Sequence, residues 1–449
     1  MDDILKQLDQ IASNNPEQND PKRNDPLLDG EVDLPSFSSV FTSDVDHNVQ
    51  IFSHVFEALK SQGLLLYHRP ILSPIDRQVT VWDELTKSKK EMLMFGSNSY
   101  LGMANDPYVK EKVREALDQH GVGMGGPMLL NGTSNLHRLA EERLAAFKGK
   151  EDCILIPTGY MTNLSWITTL MADDSILLYD EVSHASVADG IRLGKKKAFR
   201  FNHNDVADLE KQLQKHREKN KERTIFVTVQ GVYSMNGELA PIPEILTACE
   251  KYGAKLVIDD AHGTGTMGKG HGTAEHFGVS KRLQYSMGTL SKAFSVTGGF
   301  FAGDRATINF LRFFSRPYFF SASISPLIAA TILAVLDLIE REPERIIRLH
   351  QNADRLRKNL KAAGINFLPT ETAIIPIFPP HFDCFREMAS AIHQRGLFVN
   401  SIEAPGVPRG RERFRVTVMS THTEQDIDRA SEIFAEVFSQ FKPRTETKS

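Results

Sequence analysis

The stretch Gly288-Thr289-Leu290-Ser291-Lys292-Ala293-Phe294, running on to Gly298-Gly299-Phe300, sets a single lysine among small residues and hydroxyls just before a glycine pair. A lysine in such a turn has two readings. It either caps the turn or pairs with a carboxylate, or it is a Schiff-base amine that attacks an aldehyde cofactor. Taken alone, the structural reading is the ordinary one. The surrounding chain decides between them, because an aldehyde cofactor needs further partners for its ring and for any anionic group it carries.

On both sides of this stretch, short apolar runs alternate with helical patterns. Cys153-Ile154-Leu155-Ile156 precedes a helix starting near Tyr160, and Ile176-Leu177-Leu178-Tyr179 precedes another. Ala198-Phe199-Arg200-Phe201 leads to an N-cap at Asn204 or Asp205, and Ile225 to Val229 leads to a helix over 241–252. Leu256-Val257-Ile258 and Phe300 to Gly303 supply further strands. Runs apolar on both faces, spaced by helices, predict an α/β fold: a mostly parallel sheet covered by helices. After Pro343 the pattern changes to helices flanking short strands, which predicts a smaller C-terminal α+β domain. The expected divisions are a disordered arm over 1–35, an N-terminal helix with small strands over 36–95, a large domain over 96–342 and a small domain over 343–449. The arm is rich in Asn, Asp, Pro and Gln and has few apolar residues to offset its ordering entropy. Asp44 is expected to cap a helix whose apolar face is Val45, Val49, Phe52, Val55, Phe56 and Leu59, docked on the main body or on a second subunit.

Composition excludes several functions. With 41% hydrophobic and 24% charged residues and a net charge of -4, the chain has an ordinary globular balance and no basic field for nucleic acid. Cys153, Cys249 and Cys384 are widely spaced, which disfavours a metal site or a disulfide framework and fits a reducing, cytoplasmic setting. The longest apolar run, Leu327 to Leu336, stops at Asp337 and is too short to span a bilayer.

In open α/β sheets, ligands sit beyond the carboxyl ends of the strands. Four sequence positions fall there. Thr158-Gly159-Tyr160 joins a strand to a helix start suited to phosphate. His184 follows a strand in Ser183-His184-Ala185-Ser186. Asp259 and His262 follow another in Asp259-Asp260-Ala261-His262. Thr289 precedes Lys292 by three residues. Each alone has an ordinary explanation as a helix entry, a surface histidine or an N-cap. Together they match the needs of pyridoxal 5'-phosphate: an acid for the pyridine nitrogen, a flat neighbour for the ring, donors for the phosphate and a lysine for the aldehyde. Gly263-Thr264-Gly265-Thr266-Met267-Gly268 also fits a dinucleotide-binding pattern, but Lys269-Gly270-His271-Gly272 is poor helix where that pattern needs one. The glycines at 121, 123, 125, 126 and 132 mark backbone passing close to a ligand or to another chain.

Over residues 90 to 440 the sequence resembles the α-oxoamine synthases, pyridoxal-phosphate enzymes of aspartate-aminotransferase-like fold, and among them bacterial serine palmitoyltransferase. The matching segments are Ser97-Asn98-Ser99-Tyr100-Leu101-Gly102, Ser183 to Ser186, Gly231-Val232-Tyr233-Ser234-Met235, Asp259 to Gly263, Gly288 to Lys292, Phe320-Ser321-Ala322-Ser323 and Pro405-Gly406-Val407-Pro408. The resemblance implies that Lys292 binds the aldehyde, Asp259 the pyridine nitrogen and His262 the ring hydroxyl, with His184 stacked on the ring. It implies that Thr158, Gly159, Tyr160 and Thr289 border the phosphate and that Ser234 belongs to the cofactor site. Ser321 and Ser323 would reach the phosphate from a second protomer of a homodimer with shared active sites. Arg415 would bind the amino acid's carboxylate, and Asn98 would line the entrance. The implied reaction condenses an amino acid with an acyl thioester, carried by coenzyme A or by acyl-carrier protein, and releases carbon dioxide. A fold-related aminotransferase and a non-catalytic subunit are the rival readings. Three positions depart from the family pattern: Met128 where it has arginine, Gln230 where it has an acid and Asn236 where it has aspartate. Met128 is expected to make the entrance more apolar.

Overall fold

The computed structural model describes residues 43–403, 406–408 and 410–441. The expected arm over 1–35 and Pro405 of the Pro405–Pro408 segment lie outside them. Helix α1 (Val45–Ser61) starts at Asp44, whose carboxylate accepts from the amides of Asp46 and His47. Among the described residues, Ile51 and Val55 of this helix are buried, whereas Val45, Val49 and Phe52 of the apolar face drawn from the sequence are exposed. Strands β1 (Gln78–Asp83) and β2 (Ser88–Met94) form a hairpin. Helix α2 (Pro107–His120) has Asp106 as cap and proline at its first position, and stops at Gly121 with φ of +68°. Helix α3 (Asn135–Phe147) follows.

The alternation read from the sequence then begins: β3 (Asp152–Ile156), α4 (Gly159–Leu170), β4 (Ile176–Asp180), α5 (Ala185–Gly194), β5 (Lys197–Phe201) and α6 (Val206–Lys219). It continues with β6 (Ile225–Gln230), α7 (Ile242–Lys251), β7 (Lys255–Asp259), a short α8 (Thr273–His276), β8 (Tyr285–Thr289) and β9 (Gly299–Gly303). These seven strands form one sheet in the order β3-β9-β8-β7-β6-β4-β5. All neighbours are parallel except those of β9, which runs antiparallel to both β3 and β8. The chain leaves β4 toward β5 and returns to the other side of β4 as β6. The loops after β4 and β6 thus part in opposite directions, and this leaves the crevice where ligands of such sheets bind.

Helices α9 (Arg305–Phe314), α10 (Arg316–Phe319), α11 (Pro326–Arg341) and α12 (Glu344–Ala362) follow the sheet. The apolar run over 327–336 lies in α11, where Ala329, Ile332, Val335 and Leu336 are buried in the core. Among the described residues no helix is long and apolar enough to cross a membrane. The remaining elements are β10 (Ile374–Ile377), α13 (Phe385–Gln394), β11 (Leu397–Phe398), β12 (Asn400–Ile402), β13 (Arg413–Thr417) and α14 (Glu424–Gln440). Strands β10, β13 and β12 make an antiparallel sheet whose core includes Leu356, Met388, Phe414 and Phe434. Phe95, just after β2, belongs to that same core, and β2 pairs in parallel with β11. The N-terminal hairpin is thereby joined to the C-terminal elements rather than to the large sheet.

Candidate active site

Strand β8 delivers the lysine. It ends at Thr289, and the turn that follows is closed by the Ser295 amide, which donates to the Lys292 carbonyl at 2.8 Å. Ser295 sits at φ of +56°, and its hydroxyl lies 2.6 Å from that of Ser99, so the strained residue is clamped from across the site. The Lys292 amine is pushed down to about 8, chiefly by burial. The charge of Asp259 acts in the opposite sense, and that of Arg415 lowers it further. Near neutral pH an appreciable fraction of the amine is therefore the uncharged nucleophile.

Asp259 is the last residue of β7 and is buried. Asn163, on the second turn of α4, fixes its orientation. The Trp166 indole can only donate, and it donates to Asn163 Oδ1 at 3.0 Å. The amide nitrogen must then face the other way, where it donates to Asp259 Oδ2 at 2.8 Å and to Ser186 Oγ at 2.9 Å. The Ser186 hydroxyl and amide in turn reach Nδ1 of His184, at 2.7 and 3.3 Å. That leaves Nδ1 as the acceptor and places the ring proton on Nε2. One buried amide thus orients both the acid and, through Ser186, the imidazole. The sequence reading missed Asn163, whose burial among Thr162, Ser165, Trp166 and Ile167 shows only once α4 is packed.

His262, buried after β7, shares a hydrogen bond of 2.7 Å between Nδ1 and the Tyr100 hydroxyl. Burial is the main cause that holds this imidazole well below its ordinary range, and the charges of Lys292 and Arg415 add to it. The ring is neutral at physiological pH. Tyr100 donates to Asn98 Oδ1 at 3.3 Å, and Arg415 Nη1 donates to the same oxygen at 3.0 Å. Arg415 Nε donates to the Ser234 carbonyl at 2.6 Å. His262, Tyr100, Asn98, Arg415 and Ser234 are consequently one connected network, assembled from β13, the loop after β2 and the loops after β6 and β7. Tyr100 is a second residue whose place the sequence did not reveal.

At the start of α4, Thr158 caps the helix by accepting from the Met161 amide at 3.1 Å. The Gly159 and Tyr160 amides belong to the first turn and have no helical carbonyl to bond. A Cβ at Gly159 would lie 2.7 Å from Thr289 Oγ1, and one at Gly299 would lie 2.8 Å from the Gly159 α-carbon. The helix start is pressed against the end of β8, and only glycine allows it. The Thr289 hydroxyl lies 3.0 Å from that of Ser291. The Tyr160 ring meets the His184 ring edge-on at 6.4 Å, and its hydroxyl bonds Asp189. Helix amides, two hydroxyls, a lysine amine and an oriented carboxylate acceptor form a set of groups that suits an aldehyde-bearing aromatic phosphate, and the glycine contacts give that set its close packing.

The sequence model for aminotransferase class I and II matches residues 90–434. An 8-amino-7-oxononanoate synthase of Fervidobacterium nodosum is 36% identical over 396 residues, covering 88% of this chain and 99% of that protein. A serine palmitoyltransferase of Sphingobacterium spiritivorum is 37% identical over 388 residues, 86% of this chain and 95% of that protein. Among solved structures, Sphingomonas wittichii serine palmitoyltransferase superposes with a TM-score of 0.82 at 30% identity, covering 89% of this chain and 99% of that one. The chain belongs to the α-oxoamine synthases. It is accordingly a pyridoxal-phosphate-dependent acyltransferase with the fold of that family.

Within this synthase the three departures have local explanations. Met128 is buried, and its sulfur lies 2.9 Å from the Ser323 hydroxyl. It therefore packs into the core of this chain, contrary to the expectation that it lines an apolar entrance. Gln230 donates to the Val182 carbonyl at 3.0 Å and ties the end of β6 to the loop after β4. Asn236 accepts from Arg413 Nη1 at 2.6 Å and donates to Glu238 at 2.9 Å, a double role that an aspartate could not fill. Two glycines of the glycine-rich loop have a reason within this chain. A Cβ at Gly126 would strike the Asn131 side chain, and one at Gly132 would lie 2.5 Å from the Gly126 carbonyl, so these glycines serve the loop's own folding. Ser323 donates from its amide to the Gly126 carbonyl at 2.9 Å and from its hydroxyl to the Gly132 carbonyl at 2.6 Å. The structure thus packs Ser323 on the glycine-rich loop of the same chain.

Proposed function

We propose that this synthase joins an amino acid to a long-chain acyl thioester with loss of carbon dioxide, in the manner of serine palmitoyltransferase. Arg415 carries the reading. It is 4% exposed, and among the described residues it forms no ion pair. Its bonds to the Ser234 carbonyl and Asn98 leave further guanidinium donors free to act. A buried cation without a counter-charge is costly, and a substrate carboxylate held bidentately supplies that charge.

Pyridoxal phosphate, when bound, supplies the aldehyde for the amine and a ring that withdraws electrons from the amino acid's α-carbon. Asp259, oriented by Asn163, would accept from the ring nitrogen and keep its proton there. His184 would cover the ring face, and the neutral His262 would meet the ring hydroxyl. Thr289 and the first amides of α4 would hold the phosphate. Arg415 fixes the carboxylate, and this orients the α-hydrogen. Lys292 Nζ, as a free amine, would remove that hydrogen as a base. The α-carbon then bonds the acyl carbon as the thiol departs. The carboxylate leaves as carbon dioxide, and Lys292 returns a proton to the α-carbon. Amino acid and acyl thioester are thus converted to an α-amino ketone, carbon dioxide and free thiol.

In this reading the enzyme acts as a homodimer, Ser321 and Ser323 reach toward the neighbouring subunit's phosphate, and the product enters sphingolipid synthesis in the cytoplasm. The acyl group arrives on coenzyme A or on acyl-carrier protein. An 8-amino-7-oxononanoate synthase-like choice of substrates is the second reading, favoured by 36% identity over 99% of the Fervidobacterium nodosum protein. To test the proposal, the loaded enzyme is given serine, alanine or glycine with short or long acyl groups on either carrier, and products are identified by mass. A ketone from serine and a long acyl chain is expected. Turnover restricted to alanine or to short chains refutes the serine palmitoyltransferase-like reading, and a keto acid formed without thioester consumption refutes the condensation.

A further inference from the structure

Arg415 is held by a carbonyl, so the loop bearing that carbonyl determines where the guanidinium sits. The loop runs from Gly231 to Glu238, between β6 and α7. It closes tightly on itself: the Tyr233 amide donates to the Glu238 carbonyl at 2.9 Å, and the Gly237 amide to the Tyr233 carbonyl at 2.7 Å. Gly237 lies at φ of +71°, and a Cβ there would come within 2.4 Å of the Ile374 carbonyl on β10. Thr372 donates to the Gly237 carbonyl at 2.9 Å. The loop is therefore wedged between the large sheet and the small one.

His203, in the loop after β5, fastens this wedge. Its Nδ1 is 3.0 Å from Asp180 Oδ1, and its Nε2 is 3.0 Å from Glu238 Oε2. Two carboxylates can both be met only when both ring nitrogens carry protons. Asp180, at the end of β4, also accepts from the Tyr233 hydroxyl at 2.8 Å, and the Tyr233 ring stands edge-on to His203 at 4.4 Å. Glu238 accepts from Asn236, which in turn receives Arg413 from β13. The His203 amide donates to Glu181 at 3.2 Å. The titratable groups facing the imidazole are thus Asp180, Glu181, Glu238 and Tyr233, with Arg413 one residue beyond.

We propose that His203 is a positioning residue for the substrate carboxylate. As an imidazolium bridging Asp180 and Glu238 it fixes the Gly231–Glu238 loop, and through Ser234 and Asn236 it sets Arg415 and the strand that carries it. The inference rests on the reading that Arg415 binds the carboxylate. Burial opposes the charge on His203, but the hydrogen bonds and charges of Asp180 and Glu238 outweigh it and raise the imidazole above its ordinary range. The raised value extends the bridge to higher pH than a free imidazole would allow, and one of its two bonds is lost as pH rises through it.

The test titrates the cofactor-loaded enzyme with L-serine and with ethanolamine, its counterpart lacking the carboxylate, and follows the visible band. His203→Gln is expected to weaken serine binding about tenfold, the scale of one charged hydrogen bond, and to leave ethanolamine binding unchanged. Amide exchange at Tyr233 and Gly237 should accelerate, and the loss of serine affinity that accompanies deprotonation of His203 should disappear from the pH profile. In an Arg415→Lys background the substitution should change serine binding less than twofold, since both act on one contact. Equal losses for serine and ethanolamine, or additive effects of the two substitutions, overturn the proposal. Tyr233→Phe, which removes one link, replaces His203→Gln if the latter does not fold, with the same expectations. If Arg415→Lys alone leaves serine binding unchanged, the carboxylate reading fails. If it weakens binding and His203→Gln does not, only the role of His203 fails.

Discussion

Replacing Asn163 tests whether one buried amide organises the acid side of the site. The residue is 1% exposed, and its partners Asp259, Ser186 and Trp166 are 4%, 0% and 0% exposed. Asn163→Ala removes three hydrogen bonds and leaves the indole N–H and the Asp259 carboxylate each short of one. An unsatisfied buried group costs about 1–3 kcal/mol, so the two together predict a loss of roughly 2–6 kcal/mol, with water entering the vacated space favouring the lower figure. Asn163→Asp keeps the shape but turns a donor toward Asp259 into an acceptor. Two carboxylates at the present 2.8 Å separation repel by about 6 kcal/mol at an effective dielectric of about 20. The aspartate variant should therefore be less stable than the alanine variant despite its closer shape. Urea unfolding of the apoprotein measures both losses, and absorbance after gel filtration measures how much cofactor each variant retains. An alanine variant within about 1 kcal/mol of the parent that keeps its cofactor equally well would refute the reasoning. So would an aspartate variant more stable than the alanine one.

Further outcomes follow from other parts of the molecule. The Lys292 amine, lowered to about 8, should make the rate of pyridoxal phosphate attachment to the apoprotein rise with pH and level off above about 8; a rate still climbing toward 10 contradicts this. Between about 8 and the unfolded value of 10.5 the unfolded chain holds the proton and the native chain does not, so this group makes apoprotein stability increase with pH across that window, as urea midpoints should show. Gly159→Ala drives a methyl to 2.7 Å from Thr289 and should cost about 1–3 kcal/mol along with phosphate affinity, measured by thermal unfolding and by cofactor titration. Arg312→Met breaks a buried cluster in which one guanidinium meets Asp152 at 2.8 and 3.0 Å and Glu141 at 3.1 Å. The stranded carboxylates should cost about 3–5 kcal/mol in urea unfolding, and a loss below about 1 kcal/mol would contradict the geometry.

The alternation of apolar runs and helices was legible because each parallel strand is buried on both faces and short enough to stand out. Strand β8 escaped that reading. Tyr285-Ser286-Met287-Gly288-Thr289 has no apolar run, yet every residue in it is buried between β7 and β9. Its small residues answer to the neighbour: a Cβ at Gly288 would lie 2.6 Å from the Phe300 ring. The requirement is tertiary and leaves no periodic trace. The same holds for the site. Asp259, His184, His262 and Lys292 stood out because chemistry demands their side-chain types at or just after strand ends; Arg415, inside β13, came only from the family resemblance, and it shares one network with His262. Asn163, Tyr100 and Ser99 did not stand out, because each acts by orienting another residue from a distant element. The exposed side of α1 shows the converse. Val45 and Val49 fit an amphipathic pattern, and that pattern names a face to be covered without naming what covers it.

The pairing of β2 with β11 has a temporal side. Leu93 lies opposite Leu397, and Met94 opposite Phe398, so more than three hundred residues separate partners in one small sheet. On a ribosome adding roughly 5–20 residues per second, the β1–β2 hairpin emerges on the order of 15–60 seconds before the strand that completes it. During that interval the edge bearing Met92, Leu93 and Met94 has no partner and offers its backbone groups to any passing chain. The large sheet can close without waiting, since all seven of its strands lie between Asp152 and Gly303. Synthesis thus passes through a stage in which the lysine turn is already formed while the strand carrying Arg415 has yet to be made. The two halves of the substrate site come into being at different times.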